Sequence, residues 1–205
     1  MGHGILFENE KRGFKMVFPE LETKRLHLIE IIEANAMALY NIFSLDEVTR
    51  FYGLDNLTSI KEAFHIIESF KNNFHSKRGI RWGIIHKQTD QFIGTVGINN
   101  WSSPNKRAEI GYELHPHFWR NGYTTEAVSK ILSYAFNDLG LQRIGAVVYP
   151  ENIASANMLK KIGFQHEGLL RDYIYQGGRS HEVNVFSLLK KEFLESSIKK
   201  AGSQK

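Results

Sequence analysis

The stretch Leu114-His-Pro-His-Phe-Trp-Arg-Asn-Gly-Tyr-Thr-Thr-Glu-Ala127 decides how the chain is read. Before it, Arg107–Leu114 reads as a strand. After it, Ala127, Val128, Ile131, Leu132, Ala135, Phe136 and Leu139 recur at helical spacing, and Gly140 stops the helix. The stretch is therefore a strand-to-helix junction. Gly122 lets the backbone turn without a Cβ clash. The N–H groups of Arg120, Asn121, Gly122, Tyr123, Thr124 and Thr125 can then converge at the helix N-terminus, a geometry that suits a phosphate or pyrophosphate. Arg120 adds positive charge, and the hydroxyls of Thr124 and Thr125 add donors. Read alone, the same residues also make an ordinary helix entry with one turn glycine.

On the N-terminal side, Arg25–Glu30, Ile80–His86 and Gln91–Ile98 read as strands, with helices over Ala34–Phe43 and Ser59–Phe74. Asn99–Lys106 reads as a loop. On the C-terminal side come a strand Arg143–Val148, a helix Ser155–Ile162 ended by Gly163, and strands Leu169–Tyr175 and Val183–Leu189 around Gly177-Gly178. Strands outnumber helices, and helices interrupt the strands near the end. That order argues for a mixed sheet with helices on its faces.

A second motif lies thirty residues beyond the first: Asn152-Ile-Ala-Ser-Ala-Asn-Met-Leu-Lys-Lys-Ile-Gly-Phe164, followed by Glu167-Gly168 and Arg171. Asn152 is placed to cap the helix, with Ser155 in its first turn; in isolation both residues need do no more than that.

Together the two motifs resemble the GNAT superfamily of acetyl-CoA-dependent N-acetyltransferases. The first follows the superfamily's pyrophosphate-loop pattern, Gln/Arg-x-x-Gly-x-Gly/Ala, with Gly122 as its first glycine. Trp119 replaces Gln/Arg and Thr124 replaces Gly/Ala. The Trp-x-x-Gly-Tyr-x-Thr-Glu-Ala form, Ala108-Glu-Ile-Gly-Tyr-Glu-Leu114 and the opening Leu21-Glu-Thr-Lys-Arg-Leu26 look like the RimJ/RimL-type branch. The likeness runs from about Phe18 to Phe193.

The resemblance implies an α/β (α+β) fold: a mixed, splayed six- to seven-stranded sheet with helices on both faces. It implies acetyl-CoA as cosubstrate and no metal. Backbone groups of Tyr112, Glu113 and Leu114 would pair with the pantetheine arm. Residues Arg120–Thr125 would bind the pyrophosphate, and Asn152 and Ser155 would contact the arm from the second side. Many GNAT enzymes protonate the leaving thiolate with a tyrosine in the second motif. Leu159 stands there, and RimL-type enzymes resemble this chain in having a serine at Ser155, the expected acid. The branch's second acidic residue falls near Ile174. Glu109 is the first choice of general base. Glu113, on the same strand face at i+4, is the second. A salt bridge to Arg107 or Lys106 is the competing reading for Glu109.

The acceptor is expected to be a protein N-terminal α-amine, such as that of a ribosomal protein. Alternatives are a small amine (antibiotic, polyamine or amino acid) and a non-catalytic acyl-CoA-binding module. Acceptor loops are expected at Arg50–Thr58 and Asn99–Lys106, with Trp82, Asn99, Asn100 and Trp101 as candidate lining residues. RimL-type enzymes are often dimers, so a homodimer is implied by resemblance alone. His115-x-His117 is a poor zinc pair, because Pro116 and the loop setting do not suit ligation. Ser187-x-x-Lys190 matches a hydrolase pattern by chance.

Composition narrows the rest. With 205 residues, 42% hydrophobic and 23% charged, the chain is an ordinary globular domain. The absence of cysteine excludes disulfides, thiolate metal sites and a cysteine nucleophile, so acyl transfer must be direct. The net charge of +4 fits a phosphate-bearing ligand, while Lys and Arg are too scattered for a nucleic-acid groove. There is no apolar run long enough for a membrane span and no signal-peptide core, so a cytoplasmic location is expected by default. Residues 1–17 read as an extension, 18–193 as the N-acetyltransferase domain and 194–205 as a polar tail, and the charged stretch Lys190–Lys205 is expected to fray after an initial helical turn or two.

Overall fold

The computed structural model describes the backbone of residues 7–9 and 14–202 and the side chains of residues 17–196. Strands β1 (Phe7–Asn9) and β2 (Phe14–Met16) pair antiparallel, and among the described residues they pair with no other strand, so part of the expected extension is a two-stranded ladder. Residues 1–6, 10–13 and 203–205 of the two expected extensions lie outside the described residues.

The elements that follow are β3 (Leu21–Glu22), β4 (Leu26–Glu30), α1 (Ala36–Phe43), α2 (Asp46–Thr49) and α3 (Ile60–His75). Next come β5 (Ile80–His86), β6 (Gln91–Ser102), β7 (Arg107–Leu114), α4 (Tyr123–Asn137) and β8 (Arg143–Val148). The chain then forms α5 (Ile153–Ile162), β9 (Gln165–Gln176), β10 (Arg179–Leu189) and α6 (Lys190–Gly202). Strands β3 to β10 make one eight-stranded sheet in the order β3-β4-β5-β6-β7-β8-β10-β9. Every neighbouring pair is antiparallel except β7 and β8. The eighth strand is β3, whose two residues are too few to show alternation in the sequence.

Two apolar clusters place helices on both faces. Alternate residues of β5 (Ile80, Trp82, Ile84) and β6 (Val96, Ile98) pack with Val128, Ile131, Leu132 and Phe136 of α4. The opposite face, reached through Ile31 and Phe92, packs with Leu39, Ile42 and Phe43 of α1 and with Ala63 and Ile67 of α3. At about 1.5–3 kcal/mol for each fully buried large apolar side chain, these clusters are the main term holding the sheet flanked.

Several boundaries differ from the sequence reading. β6 runs on through Ser102, because polar Asn99 continues the ladder opposite Glu109. β9 and β10 are longer than expected and meet at a two-residue turn, Gly177-Gly178, whose φ values of 59° and 78° suit a type I′ hairpin. α5 begins at Ile153, inside the cap supplied by Asn152. The C-terminal segment stays helical to Gly202, beyond the expected fraying point.

Candidate active site

The sheet opens between its two central strands. β7 and β8 pair only at Arg107–Arg143, Ala108–Ile144 and Glu109–Gly145. Past that fork β7 continues to Leu114 against β6, and β8 continues to Val148 against β10. His115 donates its N–H to the Ile93 carbonyl 2.8 Å away on the β6 side. By strand alternation, the peptide groups of Tyr112 and Leu114 face the opening. An extended ligand carrying amides can add itself to such an unpaired edge.

The loop after β7 is built as a cradle and braced from outside. Arg120 and Gly122 both take left-handed conformations, with φ of 61° and 77°. A Cβ on Gly122 would sit 3.6 Å from Arg25, so it is the backbone angle, not crowding, that asks for glycine. Trp119, which departs from the family pattern, donates its indole N–H to the Leu114 carbonyl at 2.6 Å. That carbonyl is therefore engaged, and the edge left for a ligand is Leu114 N–H together with Tyr112. Arg120, Asn121 and Gly122 are exposed, while Tyr123, Thr124 and Thr125 are half-buried in the first turn of α4. The first N–H groups of α4 have no intrahelical acceptor, which is what anion binding at a helix N-terminus requires.

Arg25 and Glu126 were not expected in this role. Arg25 donates to Glu126 Oε2 at 2.6 Å and to the Asn121 carbonyl at 3.0 Å, and its guanidinium stacks 4.4 Å over Tyr123. Partial burial would raise the Glu126 carboxyl, but hydrogen bonds from Thr23 and Arg25 outweigh it and hold the group below its ordinary value. The Tyr123 hydroxyl lies 3.0 Å from His86 Nε2, which anchors the loop to β5. Arg25→Ala should raise the acetyl-CoA KM about tenfold with kcat little changed, since charge-assisted bonds to the loop are lost. Steady-state kinetics varying acetyl-CoA checks this; an unchanged KM would remove Arg25 from the cradle.

Across the opening, Asn152 Oδ1 accepts from Ser155 N–H at 3.1 Å, an ordinary N-cap. The Ser155 hydroxyl is 2.7 Å from the hydroxyl of Tyr112, which reaches over from β7. Burial raises the Tyr112 phenol, although the Ser155 bond opposes the shift, so it stays protonated at neutral pH. Leu159, at the family's tyrosine position, is fully buried in the core.

The other face of β7 carries the carboxylates. Glu109 Oε2 accepts from Asn100 Nδ2 at 3.0 Å. Among the ion pairs of the described residues none joins Glu109 to Arg107 or Lys106, the alternative left open by the sequence. Glu113 shares the face, but its carboxylate is taken: Arg81 pairs with it, and Thr95 Oγ1 donates to it at 2.6 Å. Arg81 is 4% exposed and also donates to Thr95 Oγ1 at 3.0 Å and to the Tyr52 hydroxyl at 3.2 Å. Burial pushes the Glu113 carboxyl up against the pull of Arg81 and Thr95. A Cβ on Gly111 would come within 3.0 Å of the Arg81 guanidinium, so this glycine makes room for the pair. The one sequence signal for Arg81 was a charge inside an apolar strand, which is buried only when partnered.

Of the candidate lining residues, Trp82 belongs to the core: it is fully buried and its indole bonds the Pro19 carbonyl at 2.6 Å. Asn99, Asn100 and Trp101 instead line a surface cleft with Asn73 and Arg78. The 50–58 segment is fastened to the β9–β10 turn by Gln176, whose amide donates to the carbonyls of Thr49 (3.0 Å) and Leu54 (2.6 Å). Ile174 packs within 3.5 Å of the Cβ position of Gly53, an apolar contact where the branch has an acid. The rings of His115 and His117 meet edge to face with centroids 4.8 Å apart, and no cluster of three potential metal ligands occurs among the described residues. No helix among the described residues is long and apolar enough to cross a membrane.

Residues 25–165 match the family described as acetyltransferase (GNAT) domain. The chain is 50% identical to YoaA of Bacillus subtilis, an N-acetyltransferase itself uncharacterized, over 85% of this chain and 98% of that protein. Its fold superposes with a TM-score of 0.72 on a Vibrio cholerae protein provisionally named a ribosomal-protein-serine acetyltransferase, at 26% identity over 83% of this chain and 97% of that one. It superposes at 0.74 on the spermidine N-acetyltransferase of the same organism, solved with CoA and spermine, at 20% identity over 84% and 99%.

Proposed function

Because this chain belongs to the GNAT acetyltransferase family and takes its acetyl group from acetyl-CoA, we propose that its acceptor is a protein N-terminal α-amine. The observation that carries the reading is the modest means of activation at the fork: one carboxylate, Glu109, held by one amide. An α-amine of pKa ~8 is ~10% neutral at pH 7, whereas a lysine or polyamine amine of pKa ~10.4 is below ~0.1% neutral. A lightly equipped site suits the first. The name given to the V. cholerae neighbour, at 26% identity, points the same way.

In this reading the pantetheine arm lies along Tyr112–Leu114, and the pyrophosphate rests on Arg120–Thr125. The amine nitrogen attacks the thioester carbon, and Glu109 accepts the proton released as the C–N bond forms. Main-chain N–H groups of β7 stabilise the oxyanion. When the C–S bond breaks, the Ser155 hydroxyl, itself bonded to Tyr112, donates a hydrogen bond to the departing sulfur. A thiol of pKa ~8.5 needs little more help than that. Asn152 acts by holding the helix turn that presents Ser155. Glu113 contributes its main chain, because its side chain is committed to Arg81.

Two measurements test the reading. Acetyl-CoA at about a hundredfold excess over its Kd should stabilise the protein by ~2.7 kcal/mol, a melting shift of roughly 5–10 °C for a domain of this size. Thiol release assayed side by side should then favour serine- or alanine-initiated peptides over spermidine, aminoglycosides and free amino acids by at least about tenfold in kcat/KM. Faster turnover of a small amine would replace the proposed acceptor.

A further inference from the structure

The cleft between the C-terminal end of α3 and the bulged end of β6 has a volume of about 420 Å³ and is lined by Asn73, Arg78, Asn99, Asn100 and Trp101. It abuts the proposed general base. Asn100, in a left-handed conformation (φ 50°), sits where the β6–β7 register slips and turns its amide onto Glu109 at 3.0 Å. The Asn99 amide nitrogen lies 3.1 Å from the Cβ position of Gly111, so it overhangs β7 between Glu109 and Glu113.

The lining chemistry is specific in kind. Three carboxamides each offer a donor and an acceptor, the complement of a peptide group. Arg78 adds charge-assisted donors and a positive charge. Its Nε donates to Ser76 Oγ at 3.0 Å, and among the described residues no ion pair includes it. Among the described residues no carboxylate lines the cleft, and Glu109 stands behind Asn100 at its edge. A polyamine would bring only donors and more positive charge to this surface. In an N-terminal residue the carbonyl carbon is two bonds from the amine, and one extended residue spans about 3.5 Å. An amine at Glu109 thus delivers its first peptide groups to Asn100 and Asn99.

We propose that this cleft binds the peptide groups that follow the acetylated amine, with Arg78 paired to a carbonyl oxygen. The proposal rests on the N-terminal acceptor reading and names the part of the chain that recognises such an acceptor.

The test compares a serine-initiated peptide with ethanolamine, the matching amine without a carbonyl. In Arg78→Ala the peptide KM should rise about tenfold. The kcat should stay within about twofold, and the acetyl-CoA KM and the ethanolamine rate should not move. Arg78→Lys should recover part of the loss. The side chain is exposed and makes one internal bond, so the variant folds; its melting temperature verifies this. Calorimetry with the N-acetylated peptide, the product, reports binding without turnover and should show the same tenfold weakening. An unchanged peptide KM, or an equal loss on ethanolamine, overturns the cleft while leaving the acceptor reading intact. Weakened peptide binding in the variant, with no peptide acetylation by the wild type, keeps the cleft and overturns the acceptor reading.

Discussion

Arg81→Ala is expected to lose about 3–5 kcal/mol of folding stability, the range seen when one partner of a buried ion pair is removed. Arg81 and Glu113 have side chains 2% and 3% exposed. Without the guanidinium, Glu113 keeps only the Thr95 hydroxyl as a partner in a site closed to water. The size of the effect is the desolvation of an unpaired carboxylate, not the value of the pair. The sign of its pH dependence follows. In the variant, burial raises the folded pKa of Glu113 above its unfolded value. The deficit is therefore largest at neutral pH and shrinks as pH falls toward the unfolded pKa, where the carboxyl is neutral in both states. Urea unfolding at pH 7 and pH 5 measures both parts. A second variant, Arg81→Met with Glu113→Leu, should recover most of the loss, because paired apolar replacements leave nothing unsatisfied. A loss below ~1 kcal/mol in Arg81→Ala would mean that water reaches Glu113.

Glu109→Gln should lower kcat by about 10²–10⁴-fold while acetyl-CoA binding is retained. Glutamine keeps the shape and an oxygen for Asn100 but cannot accept the amine proton. The deficit should narrow above pH ~8, where an α-amine becomes mostly neutral without assistance. A merely structural Glu109 would show no such convergence. Wild-type-like rates at pH 7 would remove it from the reaction. With no cysteine to hold the acetyl group as a thioester, transfer within a complex of both substrates is expected, and the rate plots for wild type and variant should intersect rather than run parallel.

Much of the fold is legible from local order. The stripe Ala127 to Phe136 faces the core as its spacing requires, and β5, β7 and β8 keep their expected bounds. The turn into α4 is legible from Gly122, which takes the left-handed conformation there. What local order does not carry is pairing across distance. Arg81 meets Glu113 from 32 residues away, and Arg25 meets Glu126 from 101. Neither pair leaves a periodic trace. The fork at Glu109 is likewise a property of two strands that share three paired positions. Trp82 and Trp101 show the ambiguity of aromatics in apolar strands: the first is core and the second lines the cleft, and composition is the same for both. Asn99 and Asn100 look like loop residues by polarity, yet they are strand residues whose side chains face outward.

Three consecutive residues of β7 are held by three separate parts of the chain: Tyr112 by Ser155 of α5, Glu113 by Arg81 of β5, and Leu114 by Trp119 of the loop. For protein engineering this tripeptide is a hub with fixed sockets. The 50–58 segment plugs into it through the Tyr52 hydroxyl on Arg81 and into the far hairpin through Gln176. Grafting a new acceptor loop from a relative therefore means transplanting a phenol at 52 along with it. A graft without one leaves a buried guanidinium donor facing nothing, however well its tip fits the new substrate.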